Sequence, residues 1–241
     1  MCWLDQCREW VKRYDPVRPD MLEGFHHYVF VRHLSECLPS DAIIVVDTGG
    51  NVIMMGHAFR SKRGQRIFSS NGNTPMGFAM CGAMGAWFAE PSRPIICIIG
   101  DGGMQLNIQE LQTVKHYGIP LKVFVLNNEV LGNTKAYQRV NRKAELACGP
   151  DGYSSPDFPA VARAYGLDAL TIRCLDERAL KRLLAMKEGF VADVIDPDRC
   201  QYEPRMSRWD AAIEEMYPHL PEQEFLDNMR VAPLAGWEGR R

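Results

Sequence analysis

Two short polar interruptions carry the chemistry of this sequence: "GDGG" at 100–103 and "NN" at 127–128. Asp101 is a hard oxygen donor. Its neighbours Gly100, Gly102 and Gly103 let the backbone come close to a ligand. Asn128, 27 positions later, adds a neutral amide oxygen. A carboxylate, an amide oxygen and a nearby backbone carbonyl suit Mg²⁺, which often completes its octahedral shell with phosphate oxygens. Free N–H groups at the start of the following helix favour an anion at the same spot. The chemistry is that of a diphosphate held through a divalent cation. Either piece alone is also what an ordinary strand-to-helix turn looks like; the pair, each at a strand end, points to the metal. No G-x-x-x-x-G-K-[ST] occurs, and no G-x-G-x-x-G follows a strand, so a nucleotide-binding module lacks its usual motif.

The elements that must position these residues are short β-branched runs alternating with helical patterns. Strands are predicted at 42–47, 66–70, 94–101, 121–128, 167–172 and 190–196. Their continuous apolar character is that of strands covered on both faces. Helices are predicted at 27–38, 75–89, 107–116, 160–165 and 177–187, with Gly118 stopping the third and Asp176 capping the last. The alternation gives a doubly wound, mostly parallel six-stranded α/β sheet with helices on both faces. In such sheets ligands bind at the carboxyl ends of strands. Three strands end in unusual polar residues: Asp47-Thr48-Gly49-Gly50-Asn51, Gly100–Gly103 and Asn127-Asn128. Together they form one wall of a site. The expected organisation is a helical lead-in over 1–20, the diphosphate-binding domain over 21–197, and a tail over 198–241. The tail shows no strand pattern, and two short helices are expected in it; its last stretch, 232–241, reads as disordered.

The bulk numbers exclude other classes. A chain of 241 residues that is 46% hydrophobic can build one sizeable core. A formal charge of −2 and the lack of a long basic run argue against a general nucleic-acid binder. The longest apolar stretch, residues 76–89, is too short to span a bilayer. The N-terminus carries charges every few residues and no signal-peptide core. Eight scattered cysteines form no Cys-x-x-Cys pair, which reads as a reduced, cytoplasmic protein. Of six histidines, His26, His27, His57 and His116 are singled out as candidate acids or bases, and none has a partner visible in sequence.

The stretch "GDGGMQLNIQELQTVKHYGIPLKVFVLNN" resembles the thiamin-diphosphate motif, which opens Gly-Asp-Gly and closes Asn-Asn. The resemblance is closest to the acetolactate synthase branch and covers roughly residues 20–230. "SSNGNTPMGFAMCGAMGA", "QYEPRMS" and "EEMYPHLPEQEFLDNM" are similar to further segments of that branch. The resemblance implies Mg²⁺ and thiamin diphosphate as cofactors. Asp101, the Asn128 side chain and the Val130 carbonyl are implied as metal ligands. Gly102 and Gly103 are implied as N–H donors to the diphosphate, with Gly100 and Gly132 beside it and Gly50 and Asn51 on its other side. Met76 is implied as the bulky residue that props the cofactor into a bent form. The backbones of Thr74 and Met76 would grip its aminopyrimidine.

Four positions depart from the pattern. Val52 stands where acetolactate synthases commonly carry a histidine. Asn133 and Thr134 replace apolar residues facing the substrate, and Tyr137 replaces a tryptophan near the entrance. The implied pocket is more polar than that of an acetolactate synthase. The family also needs a glutamate that activates the cofactor's pyrimidine, supplied by a separate domain on another chain, and 241 residues leave no room for that domain. The expectation is therefore one subunit of a split enzyme, partnered by a pyrimidine-domain subunit in a heterotetramer. It would decarboxylate a 2-oxo acid and ligate the fragment to an acceptor. A simple sulfopyruvate- or phosphonopyruvate-like decarboxylase, or a non-catalytic subunit that keeps the fold, are the alternatives.

Overall fold

The computed structural model describes residues 2–197, 202–206 and 216–231. It divides into a large unit, Met1–Tyr202, and a small one, Glu203–Arg241.

The large unit is organised by six strands: β1 (Ile43–Val46), β2 (Arg66–Phe68), β3 (Ile95–Gly100), β4 (Lys122–Asn127), β5 (Asp168–Ile172) and β6 (Phe190–Ile195). They form one sheet in the order 2-1-3-4-6-5, and every neighbouring pair is parallel. Around them run α1 (Trp3–Arg13), α2 (His27–Cys37), α3 (Gly50–Ala58), α4 (Phe78–Ala89), α5 (Asp101–Leu106), α6 (Leu111–Tyr117), α7 (Gly132–Asn141), α8 (Phe158–Ala164) and α9 (Glu177–Leu184).

The period of two along each strand sorts the core into two layers. Ile44, Val46, Ile96, Ile98, Phe124 and Leu126 face α2, α3 and α9. Ile43, Val45, Ile95, Cys97, Ile99, Val123 and Val125 face α4, α6 and α8. β1, β3, β4 and β6 are buried at every residue, as expected of strands covered on both sides. Each large apolar side chain so buried contributes about 1.5–3 kcal/mol. Among the described residues no helix is long and apolar enough to cross a membrane.

Several elements of the large unit differ from expectation. Helix α3 lies outside the predicted helices, because its all-apolar run "VIMM" after Gly49-Gly50-Asn51 has no clear amphipathic period. Helix α7 also lies outside the predicted helices, because "GNT" is a weak helix start. Asp101 is not the last residue of β3; it opens α5, and the predicted helix over 107–116 is a short 3₁₀ turn, Ile108–Glu110, followed by α6. Residues 75–77 precede α4 rather than starting it, because Gly77 sits at φ 86°.

The small unit holds a short antiparallel pair, Arg205–Met206 with Met216–Tyr217, and one helix, α10 (Glu222–Asn228). The strand pair corrects the expectation of a tail without strands. The expected disorder over 232–241 lies outside the described residues.

Candidate functional site

Strand order fixes where a ligand can sit. The chain leaves β1 for β2 on one side, then crosses to β3 on the other side of β1. The crevice at the carboxyl ends of β1 and β3 is therefore the point where strand order reverses, where open α/β sheets bind ligands. A cleft of about 560 Å³, mouth included, opens there. Its wall carries Gly50 and Asn51 after β1, Gly100–Gly103 at the end of β3, Asn128, Val130, Gly132, Asn133 and Thr134 after β4, and Met76. Two of the expected residues are absent from this wall. Thr74 is exposed at φ 44°, and Tyr137 lies farther along α7 with about half its surface exposed. Val52 packs against the core layer of α2 and α3.

Asp101 is 3% exposed, and one oxygen accepts a hydrogen bond from the Tyr153 hydroxyl at 2.8 Å. Burial pushes its carboxyl up to about 6, which the Tyr153 bond partly offsets. Asn128 is buried, and its side-chain oxygen accepts the Val130 N–H at 3.4 Å. Between them Glu129 adopts φ 59°, an uncommon conformation for a residue with a side chain. It is stabilised by its N–H, which donates to the Asn127 side-chain oxygen at 3.0 Å. Asn127 in turn donates to Asp193 at 3.0 Å, and burial pushes the Asp193 carboxyl up to about 6. This network shapes the turn that carries Asn128 and Val130.

The glycines match a crowded cradle. A Cβ on Gly102 would come within 2.9 Å of the Met76 methyl, and one on Gly103 would collide with the Asp47 carboxylate. Asp47, which sequence alone shows only as part of a turn, is buried and accepts the N–H groups of Gly77 at 3.1 Å and Ala79 at 3.2 Å. Asn107 donates to the Gly77 carbonyl at 3.0 Å. The turn bearing Met76 is thus pinned from β1 and from the end of α5. Asp47 and Asn107 are recognisable only through contacts about 30 positions away in the chain. The same holds for Tyr153, in the loop after α7.

The histidines have structural partners. His26 caps α2 by accepting the Tyr28 N–H, and His57 shares a hydrogen bond with the Tyr28 hydroxyl at 2.9 Å. His27 borders the cleft, with its Nε2 at 2.8 Å from the Val194 carbonyl. His116 packs edge-on against Tyr117.

Among the described residues no three His, Cys, Asp or Glu side chains group to hold a metal. The donor set of the cleft is instead one carboxylate, one amide and backbone carbonyls. That is an oxygen set suited to a hard cation that draws other ligands from a phosphate. A buried carboxylate that meets no cationic side chain among the described residues, beside glycines that leave the backbone bare, fits a metal-bound diphosphate.

Comparison with known proteins agrees. Residues 47–194 match the family described as thiamine pyrophosphate enzyme, C-terminal TPP binding domain. The chain is 33% identical over 207 residues to a probable acetolactate synthase large subunit of Methanocaldococcus jannaschii, covering 81% of this chain and 34% of that protein. It is 36% identical over 184 residues to the acetolactate synthase large subunit of Parasynechococcus marenigrum, covering 76% and 29%. It is 32% identical over 161 residues to the acetolactate synthase isozyme 2 large subunit of Escherichia coli, covering 65% and 29%. The chain thus spans about a third of the length of the curated relatives it matches. A sheet whose reversal point gathers these oxygen donors, and a match that runs from Asp47 through β6, make the chain a member of the thiamine pyrophosphate enzyme family, as its C-terminal TPP binding domain.

Proposed function

We propose that this chain is the diphosphate-binding part of an acetolactate synthase-like enzyme that decarboxylates a 2-oxo acid and joins the fragment to an acceptor. The observation that carries the reading is the convergence of Asp101, Asn128 and Val130 on one cleft at the reversal of strand order. The Asp101 carboxylate, the Asn128 side-chain oxygen and the Val130 carbonyl would hold Mg²⁺. The N–H groups of Gly102 and Gly103 would meet the diphosphate, with Gly50, Asn51, Gly100 and Gly132 completing the wall. Met76, braced through Gly77, would support the bend of the cofactor, with the Thr74 backbone beside it. When bound, thiamin diphosphate would supply a nucleophilic carbon that adds to the carbonyl of the 2-oxo acid and a cationic ring that takes up the electron pair left when CO₂ departs. The protein's work is to neutralise the diphosphate, fix the bend and exclude water.

The activating glutamate is assigned to a pyrimidine-domain partner, in a heterotetramer of two chains of each kind, in the cytoplasm. Calorimetric titration of thiamin diphosphate with and without Mg²⁺ tests the cofactor reading. Binding is expected to need Mg²⁺ and to be lost in Asp101→Ala. Turnover of a 2-oxo acid is expected only after a pyrimidine-domain partner is added; ordinary turnover by this chain alone, on the order of 1 s⁻¹ or faster, would refute the split arrangement.

Asn133 and Thr134 favour a second reading. Both line the cleft at the start of α7, where they would offer polar contacts to an acidic substrate tail. A simple decarboxylase for such a substrate would release an aldehyde and take no acceptor, which product analysis distinguishes.

A further inference from the structure

The Asp101 carboxylate is gripped by a residue from a distant loop, and the polarity of that grip can be read from its neighbours. Tyr153 Oη lies 2.8 Å from Asp101 Oδ2 and 2.9 Å from Gln105 Nε2. The same Gln105 nitrogen lies 3.2 Å from the Ser154 carbonyl oxygen. A carbonyl can only accept, so this end of the Gln105 amide is its NH₂. That NH₂ donates to the Tyr153 hydroxyl, which has one proton and is left to donate it to Asp101. Asp101 and Gln105 are four residues apart on α5, so they present their side chains on one face, and Tyr153 is clamped between them.

The loop that delivers Tyr153 is itself anchored. The Tyr153 N–H donates to the Gly149 carbonyl at 2.7 Å, and the Leu131 N–H donates to the Cys148 carbonyl at 2.8 Å. The Tyr153 hydroxyl also stands about a van der Waals contact, 3.7 Å, from where a Cβ on Gly102 would be. It therefore sits beside the cleft without filling it.

We propose that Tyr153 is a positioning residue for the metal. Its hydroxyl occupies one oxygen of Asp101, so that the other is held toward the cation. This inference rests on the reading of Asp101 as a cation ligand. Groups that orient a metal's direct ligands commonly contribute 10- to 100-fold to metal affinity.

The test uses the 241-residue chain and Mg²⁺ with thiamin diphosphate as the probe, read by calorimetry, with Mn²⁺ resonance spectra as a second readout. Tyr153→Phe is expected to weaken Mg²⁺ affinity by roughly 10- to 100-fold and to broaden the Mn²⁺ signal of the bound state. Gln105→Leu, which leaves Tyr153 in place but removes the N–H that fixes the direction of its hydroxyl, is expected to cost roughly 3- to 10-fold. Placing 3-fluorotyrosine at 153, a stronger donor of the same shape, is expected to keep or tighten wild-type affinity. A role in loop packing alone would not follow donor strength. Should Tyr153→Phe fail to fold, the fluorotyrosine and Gln105→Leu comparison decides the matter. Unchanged or tighter Mg²⁺ binding in Tyr153→Phe, with binding lost in Asp101→Ala, overturns the role of Tyr153 and leaves Asp101 as ligand. Wild-type Mg²⁺ binding in Asp101→Ala overturns the cation reading itself.

Discussion

Two aspartates in the large unit show opposite uses of a carboxylate. Asp15 precedes α2 and receives both terminal nitrogens of Arg32, at 2.8 and 3.0 Å, and one from Arg60 at 2.8 Å. These guanidinium bonds hold its carboxyl down at about 2. Asp101 is more deeply buried, faces a neutral hydroxyl, and is pushed up to about 6. The first carboxylate is satisfied by guanidinium groups of the protein. The second is ionised at neutral pH at a cost that, among the described residues, a hydroxyl and backbone N–H groups offset only in part, and the proposed cation would relieve it. Stability and function thus pull the two sites in different directions.

The comparison can be broken most readily at Asp101. Asp101→Asn should reduce Mg²⁺-dependent cofactor binding by about 100-fold or more, on the order of 3 kcal/mol, in a calorimetric titration. The same substitution should stabilise the metal-free chain at pH 8 by on the order of 2–3 kcal/mol. The sign follows from a folded pKa raised from 3.8 to about 6: ionisation costs the folded state nothing below 3.8 and its full amount above 6. Urea unfolding should therefore show the Asn advantage shrinking as pH falls from 7 to 4. An Asn variant less stable than wild type at pH 8 would mean that Asp101 is already satisfied, as Asp15 is.

Gly103→Ala probes the cradle next. Its methyl would drive the Asp47 carboxylate off Gly77 and Ala79, costing about 1–3 kcal/mol in unfolding experiments. Cofactor affinity should fall with it, because the turn carrying Met76 loses its brace. Unaltered stability would show that Asp47 can move freely.

Asp15→Asn should have the reverse pH signature to Asp101→Asn. Its folded pKa is depressed, so its contribution is present above 3.8 and fades as pH falls toward 2. With a quarter of the side chain exposed, solvent screening limits the loss to roughly 1 kcal/mol at pH 6, and cofactor binding should not change. The smallest effect is expected from Ser155→Ala. Its hydroxyl reaches Asn127 at only 3.4 Å, so stability should shift by no more than about 0.5 kcal/mol in the same urea assay. A larger loss would give that contact a part in shaping the turn at 127–130.

The sheet is legible in the sequence because buried parallel strands must be continuous apolar runs. Asp101 and Asn128 stand out because few residue types suit the hard cation proposed for the strand ends, and both line the cleft. What could not be read depends on contacts between distant parts of the chain. Asp47 looks like a turn residue until Gly77 and Ala79 are seen donating to it. Tyr153 lies in a loop with no period, 52 positions from its partner. Helices α3 and α7 lack the amphipathic pattern or the strong start that marks a helix, and tertiary packing determines them instead. Thr74 and Tyr137, carried over from a resemblance, are the two expected residues that do not reach the wall of the cleft.

Helix α7 begins directly after the turn that bears Asn128 and Val130, and Asn133 and Thr134 occupy its first turn. The proposed metal donors Asp101, Asn128 and Val130 lie at the ends of β3 and β4, whereas these two side chains ride on a separate element. If they read the substrate as proposed, exchanging them would alter its recognition without touching the metal donors, so one scaffold could be diverted to a new substrate by changes confined to a single helical turn.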